Sequence, residues 1–199
     1  ENEMRHGISS QALNHIFDNA RTYNAWKDVP VPDSVLVAVY DRMKMGPTSA
    51  NCCPARFIFI KSSESKEKLR PHLSPGNVEK VMQAPVTVII GQDLDFAAHL
   101  PKLFPHAPDA ASWFENEKVR DETAFRNSTL QGAYLMMAAR ALGLDCGPMS
   151  GFDKEGVDKS FFYGTNIKSN FICSLGYGSD EDLFPRSPRF AFDEAAKIV

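Results

Sequence analysis

The sequence lacks the positive charge that nucleic-acid binding requires. It carries 22 Lys and Arg against 25 Asp and Glu, a formal net charge of -3. Proteins that bind DNA or RNA usually show a basic excess or a basic stripe along one element. Neither is present, so binding to nucleic acid without sequence preference is disfavoured and we expect no nucleic-acid partner.

Long apolar runs are also missing. The longest apolar stretch, Gly132–Leu144, contains Arg140 and is shorter than the roughly 18 apolar residues that indicate a membrane span. Residues 1–11 do not show the basic and apolar pattern of a signal peptide. We therefore expect no membrane partner.

Cysteine is scarce and its spacing is uninformative about metals. The four cysteines, Cys52, Cys53, Cys146 and Cys173, do not form the paired spacing of a zinc site. A disulfide framework is typical of small secreted chains with many more cysteines. The pattern predicts a reducing, cytoplasmic compartment.

The common catalytic signatures are absent as well. No histidine pair among the five histidines has a metal-ligand spacing, so no metal site is predicted. There is no Gly-x-Ser-x-Gly elbow, no phosphate loop ending in Gly-Lys-Ser/Thr and no Gly-x-Gly-x-x-Gly after a strand. What remains is a set of phosphate-type donors, small residues and aromatics, which suits an organic cofactor.

The length of 199 residues and the 43% hydrophobic content predict one globular domain over residues 1–199. Periodicity and stop signals predict helices at 9–20, from Pro32–Asp33 to Gly46, after Ser62–Ser63 and after Ser74–Pro75. Strands are predicted at 56–61, 86–90 and 170–175. Segment 93–127 reads as irregular, and 128–142 as a buried helix that is apolar nearly all round. This order predicts an α+β fold with one central sheet.

Four segments carry candidate binding residues, and each has a plainer interpretation. One interpretation of Arg21–Trp26 is a phosphate site made from a guanidinium fork and neutral donors. The plainer interpretation is an exposed connector. Pro47–Asn51 offers polar donors, or is a helix stop with turn-forming residues. Cys146–Asp153 contains glycines that permit close approach of a flat ligand, or is a rigid loop. Arg186 and Arg189 complete a phosphate site, or are a solvated pair.

Taken together, these segments resemble the FMN-dependent nitroreductase family over nearly the whole chain. Arg21-Thr22-Tyr23-Asn24-x-Trp26 is similar to its Arg-Ser-x-Arg-x-Phe phosphate motif, and Pro47-Thr48-Ser49-Ala50-Asn51 to its Pro-Ser-Ser-x-Asn turn. Pro148-Met149-Ser150-Gly151 is similar to the Pro-x-Glu-Gly loop that faces flavin N5. The resemblance implies flavin-binding roles for Arg21, Thr22, Asn24, Pro47, Thr48, Ser49, Asn51, Asn77, Lys80, Pro148, Met149, Ser150, Gly151, Arg186 and Arg189.

Within that family, the phrases Pro-Thr-Ser-Ala-Asn-Cys, Gly-Pro-Met-Ser-Gly-Phe-Asp and Phe-Pro-Arg-Ser-Pro-Arg-Phe resemble the malonic semialdehyde reductase branch of pyrimidine degradation. Three positions depart from the wider family pattern. Asn24 replaces a basic residue, Cys53 stands where Gln is common, and Ser150 replaces an acidic residue. The last departure implies that a main-chain N–H, rather than a side chain, addresses N5.

The resemblance implies an FMN-dependent NAD(P)H oxidoreductase with ping-pong kinetics. It also implies a mostly antiparallel sheet flanked by helices, in an intertwined homodimer where Thr48, Ser49 and Asn51 reach the partner's flavin. Lys80 is expected to place a positive charge beside the reduced ring. No residue is assigned as an obligatory acid or base, and the sequence does not choose between NADH and NADPH.

Two other classes stay open at this stage. One is a non-catalytic flavin-binding or redox-sensing protein on the same fold, and the other is a structural dimer without cofactor. The vicinal pair Cys52–Cys53 could suggest a redox switch. We interpret both residues instead as small buried side chains at the entry of a strand.

Overall fold

The computed structural model describes residues 5–199, in which helices and strands alternate along the chain. The helices are α1 (Ser10–Leu13), α2 (Asp33–Met43), α3 (Ser63–Leu69), α4 (Pro75–Gln83), α5 (Leu100–Leu103), α6 (Glu117–Ala141), α7 (Lys154–Phe161) and α8 (Phe192–Ala195). The strands are β1 (Ala25–Trp26), β2 (Ala55–Ile60), β3 (Val86–Asp93), β4 (Asp145–Met149), β5 (Ile167–Gly176) and β6 (Gly178–Ser179).

Four of the strands form one antiparallel sheet in the order β2-β3-β5-β4. Ile58, Ile89, Ile172 and Met149 lie in one row across it. The short strands β1 and β6 form a separate antiparallel ribbon. The predicted α+β class with an antiparallel sheet is confirmed.

Side-chain alternation along β3 divides the core into two layers. Val88 and Ile90 point to the face covered by α2 and α6. Ile89 points to the opposite face, where it packs with residues of α3, α4 and α7. Because both faces are covered, β3 is buried from Val86 to Gly91, as its continuous apolar run predicts.

Helix α2 follows its sequence signals closely. It runs from Asp33 to Met43 after Pro32, and Leu36, Val39 and Met43 are buried. The helix ends before Gly46, where a Cβ would lie 2.7 Å from the Tyr134 ring of α6. The Gly46 stop is therefore also the point where the chain crosses α6 closely.

The prediction for α6 was wrong in two respects. The helix begins at Glu117, capped by Asn116, and not at Ser128. Its first turns alternate charged and small side chains, so they show no apolar periodicity. The second half is not buried all round, because Leu130, Tyr134 and Met137 are exposed on one side.

Strand β4 was predicted as a loop. Its sequence, Asp-Cys-Gly-Pro-Met, contains three residue types that are depleted in strands, Asp, Gly and Pro. Proline is tolerated because β4 is an edge strand with a single sheet neighbour, β5. The error matters because β4 carries the segment predicted to face a cofactor.

The predicted helix at 9–20 is broken. Ser9 caps α1, and the chain continues as a π-helical turn over Asn14–Asp18. In the part of the chain that the structure describes, no helix has the length and apolar character to cross a bilayer.

Candidate functional site

Residues 21–26 form a strap along the edge strand β4. Thr22 bridges to Cys146, and the Tyr23 N–H donates to the Cys146 carbonyl at 3.1 Å. The strap then enters the β1–β6 ribbon, where Trp26 is opposite Gly178. These main-chain bonds fix the direction of the strap, so its polar side chains occupy defined positions beside β4.

The C-terminal segment returns to the same strap. The Arg21 guanidinium donates to the Phe184 carbonyl, and the Asn24 amide donates to the Asp182 carbonyl at 3.4 Å. Arg186 donates to the carbonyls of Asp18 at 2.6 Å and Ala20 at 2.9 Å. The structure therefore brings Arg21, Asn24 and Arg186 together, although they lie at opposite ends of the chain.

Arg189 is placed differently from these three residues. Its guanidinium donates only to Ser187 and Pro188, its own neighbours, among the described residues. Its role in a phosphate site stays a prediction.

The loop after β4 is held by the start of α4. The Gly151 carbonyl accepts from the Ser74 N–H at 3.1 Å and from the Asn77 side-chain amide at 2.9 Å. A Cβ on Gly151 would lie 2.6 Å from Asn77 Nδ2. Asn77 and Gly151, each predicted as a flavin-binding residue, are thus in contact with one another, and only glycine fits at residue 151 without displacing the amide.

Two clefts open beside the strap and the loop. A cleft of about 510 Å³ is lined by Asn24, Lys80 and Asp182–Phe184 together with Gly76, Glu79, Gln83 and Pro185. A narrow cleft is lined by Tyr23, Asn24, Trp26, Lys80, Gly147, Pro148, Met149 and Ser174. Tyr23, Trp26 and Gly147 were not predicted as site residues, although all three stand within the motifs.

Lys80 and Trp26 present unused donors at these clefts. The Lys80 ammonium has no acceptor among the described residues. Trp26 is 8% exposed, and its indole Nε1 is buried without a partner in the described part of the chain. A buried N–H without an acceptor costs about 1–3 kcal/mol, so a ligand that offered an acceptor to this indole would be favoured.

The turn at 47–51 lies at a different corner of the sheet. It precedes β2, whose first residue Ala55 pairs with Gln92, whereas the strap lies beside β4 at the Asp145–Gly176 end. Three strand spacings, about 14 Å, separate β2 from β4. The structure does not bring Pro47, Thr48, Ser49 and Asn51 to the strap of the same protomer.

The pKa values of one tyrosine of the strap and two cysteines are raised. Burial, followed by the charges of Asp145 and Asp180, raises the pKa of Tyr23. Burial also raises the pKa of the Cys52 thiol to about 12. A hydrogen bond with Cys146, followed by burial, raises the pKa of Cys173. Thiolate chemistry is therefore disfavoured at Cys52 and Cys173.

The prediction that both vicinal cysteines are buried is confirmed for Cys52 and wrong for Cys53. Cys52 is fully buried, but Cys53 is half-buried, because a left-handed backbone at Cys53, with φ 40°, turns the chain outward there. All four cysteines are free thiols. Within residues 5–199, no group of three or more His, Cys, Asp and Glu side chains is placed to hold a metal ion.

Comparison with known proteins identifies the arrangement. The profile of the nitroreductase family matches residues 18–177, which include the strap, the turn, α4, β4 and the Gly151 loop. The chain is a member of the nitroreductase family. Nitroreductases use FMN, and membership makes the protein an oxidoreductase.

Curated and solved nitroreductases match it along its length. A protein of Burkholderia lata, provisionally named NADH dehydrogenase/NAD(P)H nitroreductase, is 60% identical over 192 residues, 96% of this chain and 98% of the relative. A provisionally named nitroreductase of Bacillus subtilis superposes with a TM-score of 0.87 at 19% identity, covering 96% of this chain and all of that one. One from Exiguobacterium sibiricum, solved in complex with FMN, superposes with a TM-score of 0.85 at 20% identity, over 98% and 100% of the chains.

The residues of this nitroreductase fit a flat, phosphate-bearing cofactor. Gly147 and Gly151 let β4 and the following loop lie close against the strap and α4. Arg21 and Asn24 of the strap bind the C-terminal segment, and Arg186 of that segment binds the residues just before the strap. Lys80 and Trp26 line the narrow cleft, and the Trp26 indole N–H has no partner in the described part of the chain. The donor set is cationic and neutral, as an anionic phosphate and a carbonyl-rich ring require.

Proposed function

We propose that this nitroreductase is an FMN-dependent NAD(P)H oxidoreductase that reduces a small acceptor by ping-pong hydride transfer. The observation that carries the proposal is the set of contacts that brings Arg21 and Asn24 of the strap and Arg186 of the C-terminal segment into one region, where Asn24 and Lys80 line a cleft. The printed names of the relatives support NAD(P)H as the donor, and the complex of one structural relative supports FMN.

The strap residues hold the phosphate in this proposal. Arg21 and Asn24 now donate to neutral main-chain carbonyls of residues 182–184. Hydrogen bonds from a guanidinium to phosphate are shorter and roughly twice as strong as bonds to neutral acceptors. Phosphate therefore competes well for these donors, with Thr22, Arg186 and Arg189 completing the set.

Lys80 and the Gly151 loop serve the ring. Bound FMN supplies a centre that takes hydride from the nicotinamide and gives it to the acceptor in a second half-reaction. Lys80 contributes a positive charge that favours the anionic form of the reduced group. Asn77 holds the loop so that the main chain of Ser150 and Gly151, following Pro148 and Met149, faces the ring edge.

We further propose a homodimer in which the turn residues Pro47, Thr48, Ser49 and Asn51 serve the partner's flavin. The protomer exposes 12431 Å², whereas a compact monomer of 22.1 kDa exposes about 9,300 Å². The additional exposed area is as large as the area that each subunit buries in a large interface. The exposed stripe of Leu130, Tyr134 and Met137 on α6 supplies an apolar surface for it.

The acceptor we propose is malonic semialdehyde, reduced to 3-hydroxypropionate, in the cytoplasm and on a single domain spanning the chain. The phrases around Asn51, Met149 and Arg189 support that branch by resemblance. The alternative is a flavin-binding or redox-sensing protein without turnover. The four free thiols suit a reducing compartment.

The test combines spectroscopy with rapid kinetics. We expect a yellow protein that releases FMN on denaturation and is reduced by NADH, NADPH or both. Stopped-flow reoxidation with malonic semialdehyde, enals, nitro compounds and quinones then ranks the acceptors. A colourless protein that takes up no added FMN contradicts the cofactor. Flavin that is bound but not turned over supports the sensor, and reoxidation of another acceptor class well ahead of malonic semialdehyde contradicts that substrate.

A further inference from the structure

The turn before β2 is held in a strained conformation. Ala50, Asn51 and Cys53 all have left-handed backbones, with φ of 51°, 49° and 40°. None is glycine, and each such residue costs about 1–3 kcal/mol, which persists only where the surrounding structure enforces it. Strain of this kind concentrates at functional sites.

Arg56 contacts the strained turn and helps to keep it in this conformation. Arg56 Nη1 donates to the carbonyls of Cys53 and Ala55, each at 2.9 Å. Its Nη2 donates to Asp93 Oδ2 at 2.8 Å. The guanidinium fork therefore ties the last strained residue to the first residue of β2 and anchors both to the end of β3.

Asp93 is itself fixed. Its side chain is 10% exposed, its N–H donates to the Pro54 carbonyl at 2.8 Å, and its Oδ1 accepts from the Asp95 N–H at 2.9 Å. Asp93 also faces His99, whose Nε2 lies 3.9 Å from Oδ2. The buried carboxylate thus gives the guanidinium a rigid charged partner, which makes a strong and directional pair.

Helix α6 holds the two ends of the turn. Asn127 Oδ1 accepts from the Ser49 N–H at 2.9 Å, and Gln131 Oε1 accepts from the Ala55 N–H at 2.8 Å. Both side chains are buried. Three side chains hold the strained middle. Arg56 donates to the Cys53 carbonyl, and the Thr48 hydroxyl accepts from the Cys53 N–H at 3.2 Å. The Asn51 side-chain amide donates to the Leu103 carbonyl at 2.8 Å.

We propose that Arg56, anchored by Asp93, is a positioning residue that keeps the turn Thr48–Cys53 in the conformation that addresses the partner's flavin. The proposal rests on the proposed interchain site. Without the guanidinium, Cys53 can return to the ordinary region of negative φ, which moves Asn51 and Thr48 away from their positions. A turn ordered in advance spares the flavin complex the entropy cost of ordering it on binding.

The direct readout is hydrogen exchange of the peptide 47–55, which needs no flavin chemistry. We expect Arg56→Gln to raise its exchange about tenfold, while peptides from β3 and β5 exchange as in the wild type. Arg56→Lys keeps the charge but not the fork, so its exchange should lie between the two. Arg70→Gln, at an exposed pair with Glu67, is the matched control and should change neither peptide.

The second readout is the rate at which FMN leaves the holoenzyme. We expect Arg56→Gln to raise it about tenfold, and Asp93→Asn to raise it in the same direction. Unchanged exchange of 47–55 in folded Arg56→Gln overturns the clamp. Raised exchange with an unchanged FMN release rate overturns its role in positioning.

A third variant separates this proposal from the one on which it rests. Asn51→Ala removes a turn side chain and its bond to the Leu103 carbonyl, and leaves the contacts of Arg56 intact. If Asn51→Ala leaves FMN release unchanged, the interchain site is wrong and the positioning role fails with it, whereas the exchange result still decides whether Arg56 holds the turn. If Asn51→Ala speeds release and Arg56→Gln does not, only the clamp proposal is overturned.

Discussion

Gly147 lies so close to Tyr23 that a Cβ built on it would stand 2.6 Å from the Tyr23 carbonyl oxygen and 3.1 Å from Trp26. The contact joins β4 to the strap at the level where Tyr23 donates its N–H to Cys146. The Tyr23 carbonyl belongs to the main chain, which cannot rotate away from a new Cβ as a flexible side chain can. The spacing between strap and strand is therefore set by the absence of a side chain at residue 147.

Replacing Gly147 with alanine should displace the strap. Overpacking of this kind costs about 1–3 kcal/mol, and the displaced strap should also bind FMN less tightly. Urea unfolding and fluorescence titration with FMN measure the two effects. Gly7→Ala, where a Cβ meets nothing within 4 Å, is the control. A Gly147→Ala protein with wild-type stability would show that the strap tolerates movement.

Removing the Arg21 guanidinium should weaken FMN binding. A charge-assisted bond to phosphate is worth about 1.5–3 kcal/mol, or roughly a 10- to 150-fold rise in Kd. Arg42→Ala, an exposed change on α2, should leave the Kd unchanged. Arg189→Ala tests the other end of the chain, and the two effects should not simply add if both residues hold one phosphate. An unaltered Kd in Arg21→Ala would make Arg21 a tether for the C-terminal segment only.

A heterodimer tests whether sites are shared between chains. One chain carries Arg21→Ala and the other Asn51→Ala, and each homodimeric mutant should be nearly inactive. With shared sites, one site carries both lesions and the other none, so about half of the activity should survive. If each site belongs to one chain, only the parental background remains. Subunit exchange must be slow during the assay, which mixing of tagged dimers checks.

Trp26→Phe should affect the apoprotein and the FMN-bound protein differently. The indole N–H is buried without a partner in the described protomer, so its loss removes a penalty of about 1–3 kcal/mol. This gain offsets the packing lost with the smaller ring, and the free energy of unfolding of the apoprotein should change little. Binding of FMN should weaken about 5- to 10-fold if the cofactor brings the acceptor. Thermal unfolding with and without FMN measures both. A parallel loss in both states would identify the indole as packing alone.

The free energy of unfolding should fall in alkaline solution because the Cys52 thiol ionises in the unfolded chain before it does in the fold. Its thiol titrates near pH 8.5 in the unfolded chain, whereas burial raises its pKa to about 12 in the fold. Between these values the unfolded state releases a proton that the native state keeps, so unfolding becomes easier by up to about 1.4 kcal/mol per pH unit. Urea unfolding of Cys52→Ala under reducing conditions should show a shallower decline above pH 9 than the wild type. Cys53→Ala should decline as the wild type does.

Local signals predicted the elements whose burial is regular. The Pro32 start, the Gly46 stop and the apolar spacing of α2 all act within a few residues, and the helix obeys them. The same holds for β3, which is apolar throughout because the fold covers both faces. Strand β4 was not predicted because Gly147 and Pro148 oppose strand formation locally, whereas long-range pairing with β5 and contact with the strap stabilise it in the fold.

The site was predicted as a set of segments but not as a geometry. Sequence pointed to the strap, the Gly151 loop and the C-terminal arginines. It could not place the turn at 47–51 at the opposite corner of the sheet, because strand order depends on long-range pairing. Arg56 and Asp93 went unnoticed for the same reason, since residues 37 positions apart form one contact only through the β2–β3 register.

The strap along β4 also prevents the exposed edge of the sheet from pairing with a strand of another chain. An edge strand with free N–H and C=O groups is a template on which another chain can extend the sheet. Here Thr22 and Tyr23 occupy the Cys146 position, and Pro148 offers no N–H farther along. A change that frees the strap therefore uncovers a bonding edge and favours aggregation by sheet extension.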